Sequence, residues 1–270
     1  MCGNPKGDLV YATERQELIE RLLAEEGRVG VHELAARFEV TTETIRRDLD
    51  ALERVGALRR VHGGAVPGDR HSTAEPTVLE RAHRRTRAKV AIASAALDLI
   101  GPAFRGSVFL DAGTTTAAVA DQLPAYLAAA RGRADVVTHS LTVAPALAAA
   151  ETVALTVIGG RVRGVTAAAV GAGAVRAIES LRPDVAFIGT NGLSAGFGLS
   201  TPDPEEAAVK RAIVDAARRV IVVADAGKFG VESLVTFASL SSIDVLVTDA
   251  APEPDLAAAL QEAGVEVRLA

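Results

Sequence analysis

The sequence contains very few sulfur-bearing and aromatic side chains. Its 270 residues include one cysteine (Cys2), one methionine, no tryptophan and only 3% aromatic residues. A single cysteine cannot form an internal disulfide and cannot supply a set of thiolates to a metal ion. We therefore expect a cytoplasmic protein with no metal site and no cofactor.

Long apolar runs are also missing. No stretch of about 18 residues lacks charged and polar side chains, so we expect no membrane span and no membrane partner. The N-terminus has no basic segment followed by an apolar run, which argues against a secretion signal. Hydrophobic residues still make up 49% of the chain, with much alanine. The chain is long enough for one small domain and one of ordinary size.

The net charge of -5 is unevenly distributed along the chain. Residues 1–90 carry 16 Lys and Arg against 15 Asp and Glu, a balance of +1. Residues 91–270 carry 13 against 19, a balance of -6, and the two balances sum to -5. A near-neutral N-terminal part joined to an acidic body is compatible with a DNA reader attached to a separate sensing domain.

The N-terminal part is organised around residues 40–49. Ile45, Leu49 and Leu52 recur at helical spacing and form one apolar stripe. Thr41 or Thr42 can cap this helix through a hydroxyl oxygen. The off-stripe side chains (Glu43, Thr44, Arg46 and Arg47) are suited to base edges and phosphates. A solvated amphipathic helix with paired charges is the alternative.

The flanking segments favour the DNA-binding interpretation. Residues 13–16 have capping-box spacing, which predicts a helix from Thr13 to about Gly27. A second short helix is expected over 32–38. Gly63 and Gly64 follow basic residues and predict the tip of a hairpin. The result is a winged helix-turn-helix unit over 13–66, whose wing cations would contact the phosphate backbone.

Residues 44–49, 52–53, 56 and 60–65 together resemble the signature of the DeoR family of bacterial repressors. Thr42 stands where the family usually has serine, which keeps a capping hydroxyl. The resemblance implies a winged helix-turn-helix that binds operator DNA. The residues assigned to DNA binding are Thr41, Thr42, Glu43, Thr44, Arg46, Arg47, Arg59, Arg60 and His62.

The segments that flank this unit are simpler. Residues 1–12 contain several glycine and proline residues, and we expect them to be disordered. Residues 67–77 are polar and rich in glycine and proline, which predicts a linker. A long helix is expected over 78–99. Its basic beginning either contacts DNA or forms a solvated helix face.

The remainder, 78–270, alternates between apolar and alanine-rich segments. Strand-like runs occur at 108–110, 136–138, 155–158, 185–188, 220–224, 245–248 and 265–267. Helical patterns separate most of them, at 117–130, 141–149, 205–217 and 254–263. Such alternation predicts an α/β fold with a Rossmann-like, largely parallel sheet, and ligands bind such sheets at the carboxyl ends of the strands.

Several of these predicted strand ends carry polar or glycine-rich residues. Gly113 followed by three threonines at a helix start forms either an anion cradle or a plain strand-to-helix turn. Gly159-Gly160-Arg161 is either a loop that contacts phosphate or a turn without a role in ligand binding. Glu206 and Lys210 are spaced to pair on a helix surface, while Asp203 is placed to cap that helix.

The resemblance to the DeoR family extends into this part and implies a sugar-phosphate site, because the segment from Asp111 is similar to the phosphate loop of sugar-phosphate isomerases. It raises Glu206 and Lys210, and also Asp225 and Lys228, to candidate ligands. His139 departs from the family, which commonly has asparagine there. The effector-binding set is Asp111, Gly113, Thr114, Thr115, Thr116, Thr138, His139, Gly159, Gly160, Arg161, Glu206, Lys210, Asp225 and Lys228.

Three functions are compatible with these features. The first is a repressor of a sugar-metabolism operon, a homo-oligomer (dimer or tetramer) controlled by a phosphorylated sugar; similarity to fructose-operon regulators suggests fructose 1-phosphate. The second is a sugar-phosphate isomerase fused to a DNA-binding module, with Asp203, Glu205 or Glu206 as general base. The third is a constitutive DNA-binding protein whose α/β domain only oligomerises.

Overall fold

The computed structural model describes residues 12–26, 29–61, 63–67 and 72–270. The chain forms two compact units, Met1–Pro76 and Thr77–Ala270. We expected residues 1–12 to be disordered. Residues 1–11 of this segment lie outside the described residues, and residue 12 begins the first helix. No helix in the described ranges is both long and apolar enough to cross a membrane.

The first unit is a winged helix-turn-helix, as predicted. Its elements are α1 (Ala12–Glu26), β1 (Val29–Gly30), α2 (Val31–Arg37), α3 (Thr42–Arg54), β2 (Leu58–Val61) and β3 (Gly64–Pro67). The three strands pair in the order β1-β3-β2. Ile45 and Leu49 from α3 are completely buried, together with Ile19 from α1. The apolar stripe of α3 thus forms the centre of this core, as its spacing predicts.

Two helix starts were predicted by capping residues, with different outcomes. Thr41 caps α3, because its hydroxyl accepts a hydrogen bond from the backbone N–H of Thr44 at 3.1 Å. The capping role of Thr13 is wrong: α1 begins at Ala12, so Thr13 lies inside the first helical turn. A capping-box pattern one residue inside a helix is indistinguishable in sequence from one at its boundary.

Val61 pairs with Gly64 across the hairpin of the wing. Gly63 adopts a φ of +79°, which favours glycine. Gly64 begins β3, where a Cβ would collide with the carbonyl oxygen of Val29 in β1. The two glycines are therefore needed for different reasons. Gly63 permits a left-handed turn, and Gly64 permits close contact between β3 and β1. His62 lies outside the described residues.

The second unit is a seven-stranded parallel sheet with helices on both faces, together with two small antiparallel sheets. Its helices are α4 (Val78–Ala82), α5 (Thr86–Asp98), α6 (Thr114–Ala128), α7 (Ala144–Leu147), α8 (Ala172–Glu179), α9 (Pro204–Ala216) and α10 (Pro254–Glu262). The strands of the large sheet are β4 (Arg105–Leu110), β5 (Arg133–Thr138), β6 (Val153–Val157), β9 (Val185–Ile188), β12 (Val220–Val223), β14 (Val245–Thr248) and β15 (Glu266–Leu269). They are ordered β15-β14-β12-β9-β4-β5-β6.

Both faces of this sheet are buried. Phe109 packs into the cluster that α8, α9 and α10 form on one side. Its neighbours Val108 and Leu110 pack against α5 and α6 on the other side. Successive side chains of a strand point to opposite faces, which explains why these strands are near-continuous apolar runs. All seven predicted runs are strands of this one sheet.

Five short strands of the second unit were not predicted. They are β7 (Arg161–Arg163), β8 (Ala168–Val170), β10 (Gly192–Ser194), β11 (Gly198–Thr201) and β13 (Val235–Ala238). They form a two-stranded sheet, β7-β8, and a three-stranded sheet, β10-β11-β13. Each has only three or four residues, and glycine lies within or next to most of them, so no periodic pattern marks them. The eight-residue helix α8 was also missed.

The single long helix expected over 78–99 is wrong. The segment is instead broken into α4 and α5, and Arg85 between them adopts a left-handed φ of +49°. This conformation is costly for a residue with a Cβ, so the surrounding contacts must hold it.

Candidate functional site

The candidate ligand site lies at the carboxyl edge of the parallel sheet. Asp111 follows β4, His139 follows β5 and Gly189 follows β9. Lys210 reaches the same place from the second turn of α9. The parallel order β9-β4-β5 brings these strand ends together, since adjacent parallel strands end at the same edge.

Asp111 is the centre of this cluster and is completely buried. Its Oδ2 accepts a hydrogen bond from the N–H of Gly189 at 3.0 Å and pairs with the Lys210 ammonium. Its Oδ1 lies 3.1 Å from Nε2 of His139. Burial alone would raise the pKa of Asp111, but the Lys210 charge and the His139 hydrogen bond outweigh it and lower the pKa to about 2. The carboxylate therefore stays ionised in the interior.

Lys210 and His139 are held from a second side as well. The Lys210 ammonium donates to the carbonyl oxygen of Gly189 at 2.9 Å and lies 5.5 Å from the Phe237 ring centre. Nδ1 of His139 lies 2.8 Å from the carbonyl oxygen of Ala169 in β8. His139 is 2% exposed. His139 thus connects Asp111, after β4, to strand β8 and is not part of the surface.

The start of α6 provides the open part of the site. Gly113 precedes the helix with a φ of +155°, and no side chain caps its first turn. Thr115 and Thr116 are buried, whereas Thr114 is half-buried. Unpaired first-turn N–H groups attract oxygen atoms of anions. Of the three threonines, Thr114 has the most exposed side chain.

Thr138 is used inside the fold. Its hydroxyl donates to the carbonyl oxygen of Leu110 at 2.7 Å and accepts from the N–H of Ser140 at 3.1 Å. The side chain is completely buried. It therefore fixes the end of β5 against β4, and its assigned role in effector binding has no exposed atom to support it.

The β7–β8 hairpin is tied to the start of α9 by charged contacts. Arg161 pairs with Glu205. Nε of Arg163 lies 3.1 Å from Oδ2 of Asp203. The hairpin begins close to Gly160, where a Cβ would lie 2.7 Å from the carbonyl oxygen of Val170. Gly159, in contrast, faces open space. In this structure both arginines neutralise carboxylates rather than an external anion.

Glu206 and Lys210 do not pair on a surface, so that interpretation is wrong. Both are buried. Glu206 accepts from the Thr166 hydroxyl and lies 3.4 Å from Nη1 of Arg163, while Lys210 turns to Asp111. The predicted cap is confirmed: Oδ1 of Asp203 accepts from the N–H groups of residues 205 and 206, each at 3.0 Å.

Asp225 and Lys228 lie beside the junction of α4 and α5. Asp225 is buried, and its Oδ1 accepts from the N–H of Gly227 at 3.0 Å. Arg85 approaches it, with Nε 3.6 Å from the same oxygen, and Nη1 of Arg85 lies 3.5 Å from Oδ2 of Asp249. The sequence interpretation missed Arg85, as it missed Gly189 and Thr166. Of these three residues, only Gly189 could have been found from the sequence, because it directly follows a predicted strand.

The candidate DNA-binding surface is the exposed side of α3 and the wing. Glu43, Arg46 and Arg47 are exposed, and Nη1 of Arg46 lies 3.4 Å from Oε2 of Glu43. Arg59 is exposed as well, whereas the Arg60 guanidinium pairs with Asp50. Arg60 therefore also joins the wing to α3.

Asp48 has a role that its sequence pattern did not reveal. It is buried on the inner face of α3, where Oδ2 lies 2.5 Å from Nε of Arg15 and Oδ1 accepts from Gln16 at 3.1 Å. It falls between Ile45 and Leu52 on the apolar stripe. That position was the available signal for a buried ion pair.

No group of three or more His, Cys, Asp or Glu within the described ranges is arranged to hold a metal ion. Most of the polar side chains at the sheet edge are paired with each other, and the α6 start adds backbone donors. The arrangement fits reversible binding of an oxygen-rich ligand.

Comparison with known proteins assigns both units. Residues 15–70 match the DeoR-like helix-turn-helix domain, and residues 84–250 match the DeoR C terminal sensor domain. The chain belongs to the DeoR family of transcriptional regulators. This confirms the resemblance seen in the sequence.

Full-length relatives share this organisation. The chain is 35% identical over 260 residues to a putative aga operon transcriptional repressor of Escherichia coli O157:H7, covering 95% of this chain and 93% of the relative. It is 34% identical to the uncharacterized HTH-type transcriptional regulator FruR of Bacillus subtilis (strain 168), covering 88% and 91%. It is 30% identical to the glycerol-3-phosphate regulon repressor of Escherichia coli (strain K12), covering 95% and 98%. These relatives are named as regulators, not enzymes, and the chain is a DNA-binding regulator.

A ribose 5-phosphate isomerase from Methanocaldococcus jannaschii is a structural neighbour at 15% identity, over 52% of this chain and 53% of that one. Its TM-score of 0.39 is too low to assign a function from the likeness.

Proposed function

We propose that this regulator represses a sugar-metabolism operon and that a phosphorylated sugar bound by the second unit controls its affinity for operator DNA. The observation that carries the proposal is the buried Asp111–His139–Lys210 cluster beside the uncapped start of α6. A buried, fully paired charge cluster holds loops in one arrangement. Unpaired helix-start N–H groups beside it are suited to ligand oxygens.

The first unit, residues 13–66, is assigned to DNA binding. α3 would enter the major groove, with Thr42, Thr44, Arg46 and Arg47 at or beside the bases. Arg59 and Arg60 in the wing would contact phosphates. The presence of Arg46 and Arg47 on the exposed side of α3 supports this assignment.

The second unit, residues 78–270, is assigned to sensing and to assembly of a homo-oligomer. Gly113 and Thr114 would donate to oxygens of the ligand. Asp111 and Lys210 act from the interior by positioning this loop. Control requires a ligand whose affinity differs between the DNA-competent and incompetent states, since equal affinity shifts nothing.

Fructose 1-phosphate is our first candidate for the ligand. It rests on the resemblance of residues 192–228 to fructose-operon regulators of the family; one relative is named FruR. Another relative is named for glycerol-3-phosphate. A test panel therefore includes both compounds, several hexose and pentose phosphates, and each sugar without its phosphate.

The test is an electrophoretic shift titration with the full-length protein and DNA from the region upstream of its own gene. We expect one phosphorylated sugar to change the affinity for DNA about tenfold or more, corresponding to a coupling of at least about 1.4 kcal/mol. The unphosphorylated sugar should have no effect. If none of the phosphorylated compounds alters DNA binding or binds the protein, the proposal is wrong.

A pair of variants locates the response. Lys210→Gln removes the buried ammonium that pairs with Asp111, and we expect it to abolish the ligand response. Arg218→Gln removes an exposed cation 3.6 Å from Asp184 and serves as the control with an unchanged response. Calorimetry of ligand binding to both variants checks that the difference arises at the sensor and not at the DNA.

A further inference from the structure

The junction between α4 and α5 gathers four cations, three of which the assigned site does not include. Arg81 lies on α4, Arg84 in the connection and Lys89 in the first turns of α5. Lys228, at the end of a short 3-10 helix after β12, contributes its charge to the same group. We call these four residues the cation elbow.

The cation elbow lies at the carboxyl edge of the parallel sheet. Arg85, inside the connection, reaches Asp225 and Asp249, which follow the strands β12 and β14. The elbow therefore shares its edge of the sheet with the ligand site proposed above.

The start of α6 lies on that edge too. Gln122 of α6 donates to the carbonyl oxygen of Val90 early in α5 at 3.1 Å. Tyr126, one turn later in α6, donates to Asp98 at the end of α5 at 3.1 Å. The two helices therefore run in the same direction, and α4 packs against α6 as well. The beginnings of α5 and α6 face the same edge.

The charges of the elbow are poorly balanced. The ammonium of buried Lys89 donates to the carbonyl oxygen of Arg84 at 2.5 Å and also to that of Arg81. Burial lowers the pKa of Lys89 to about 8; Asp225 opposes this shift, whereas the charges of Lys228, Arg81 and Arg84 add to it. Arg85, in the same connection, lies 3.6 Å from Asp225 and 3.5 Å from Asp249.

Arg81 is the most informative member. Its Nε and Nη2 are both buried, and neither has a hydrogen-bond partner among the residues that the structure describes. Buried donors without acceptors are destabilising, and an unpaired buried charge more so. Nε and Nη2 form one side of the guanidinium, where two parallel N–H bonds match two oxygens of a phosphate or carboxylate.

We propose that the cation elbow is the phosphate subsite of the sensor, with Nε–H and Nη2–H of Arg81 donating in parallel to two oxygens of a phosphate dianion. Lys89 and Lys228 supply the flanking positive charge. The sugar then extends along the edge towards Gly113 and Thr114. This inference rests on the proposed function, and three of its residues (Arg81, Arg84 and Lys89) lie outside the site assigned above.

The position of α4 gives the subsite a route to the DNA-binding unit. α4 is the first helix after Pro76, where the first unit ends. The N–H of Val78 donates to the carbonyl oxygen of Val165, in the turn of the β7–β8 hairpin, at 2.7 Å. A phosphate bound by Arg81 would stabilise this helix, which is the first element of the second unit.

The test compares Arg81→Met with Arg87→Met in the full-length protein. Arg87 is exposed on α5, so its variant matches the charge change. Calorimetry with inorganic phosphate and with the effective sugar phosphate should show affinity about tenfold or more weaker for Arg81→Met and unchanged for Arg87→Met.

Thermal unfolding separates a ligand-binding role from a structural one. In phosphate-free buffer, Arg81→Met should unfold at the wild-type temperature or above it, because the substitution removes two buried N–H donors that have no acceptor among the described residues. The stabilisation produced by phosphate in the wild type should be lost. A marked loss of thermal stability without phosphate would instead show that Arg81 supports the fold, and would overturn the subsite.

The outcomes also distinguish this inference from the proposed function. If a sugar phosphate releases DNA from Arg81→Met at the wild-type concentration, the cation elbow is not the subsite, and the proposed function stands. If no phosphorylated compound binds the wild type, both are wrong.

Discussion

Two arginine-containing regions of this protein differ in almost every respect except charge. On α3 and the wing, Arg46 and Arg47 and also Arg59 are exposed. In the cation elbow, the Arg81 donors are buried and Lys89 is 6% exposed. The first set is spread along a surface, whereas the second converges on one small volume.

The difference corresponds to two kinds of anion. Exposed arginines lose little solvation on pairing, contribute little to stability and suit an extended polyanion whose binding depends on salt. Cations gathered around buried Lys89 repel one another in the ligand-free fold and favour a single compact dianion. The same contrast separates the ion pairs of the first unit, since Arg15–Asp48 is buried and Arg46–Glu43 is exposed.

The largest effect is expected for the buried pair. Asp48→Ala leaves the Arg15 charge in the core and should destabilise the first unit by about 3–5 kcal/mol. Glu43→Ala removes an exposed partner and should cost less than about 1 kcal/mol. Urea unfolding of the full-length variants measures both. Similar losses for the two variants would contradict the distinction.

The second effect concerns acid stability. The folded-state pKa of Asp111 is lowered from 3.8 to about 2, so its ionised form contributes stability above pH 3.8 that is lost as pH falls through about 2. The contribution is about 2 kcal/mol. Asp111→Asn should flatten the acid limb of a stability–pH curve. Asp184, whose pKa is also lowered, by Ser107 hydrogen bonds, is exposed; Asp184→Asn is the control with the smaller change.

The third effect concerns recognition of DNA. Arg47→Ala should weaken operator binding about tenfold, or about 1.4 kcal/mol, and relax sequence preference. Arg59→Ala should weaken binding to all DNA sequences by the same factor. It should also reduce the slope of log affinity against log salt concentration by about 0.9. A salt titration of both variants on operator and unrelated DNA checks this. Unchanged operator affinity for Arg47→Ala would show that α3 does not read bases through it.

The smallest effect is a pH dependence at the cation elbow. The pKa of Lys89 is lowered from 10.5 to about 8, so its charge is lost as pH rises through 8 and sugar-phosphate affinity should fall a few-fold. Without ligand the trend is opposite: the unfolded chain keeps this proton up to about 10.5, so the free energy of unfolding rises with pH across this window. Calorimetry and urea unfolding between pH 7.5 and 9.5 measure the two trends. Affinity independent of pH would count against Lys89 as part of the subsite.

Much of the architecture was predictable because apolar spacing is local information. The stripe of Ile45, Leu49 and Leu52 predicted the buried face of α3. Seven apolar runs predicted the seven strands of the main sheet. The short strands β7 and β8 and the break at Arg85 were not predictable, because contacts with distant segments hold them.

The candidate site was predicted in part. The loop from Asp111 to Thr116 was found by its glycine and its place after a strand. The roles within it were not. Lys210 was assigned to effector binding, with pairing to Glu206 as the alternative, and it reaches Asp111, 99 residues away in sequence. Thr138 was expected to face the ligand and is completely buried. The contact of Lys210 with Asp111 and that of Thr138 with Leu110 cannot be predicted from residue spacing along one helix or strand.

The sequence by itself therefore determined the strands of the main sheet and most of the longer helices and, through the family signature, which class of protein this is. Periodicity and turn chemistry act over a few residues, so they survive without knowledge of the fold. Only the tertiary structure decided which charges are paired. It buried Asp111, Lys89 and the Arg81 donors, and burial determines whether a charge is solvated, neutralised by a neighbour or available to a ligand.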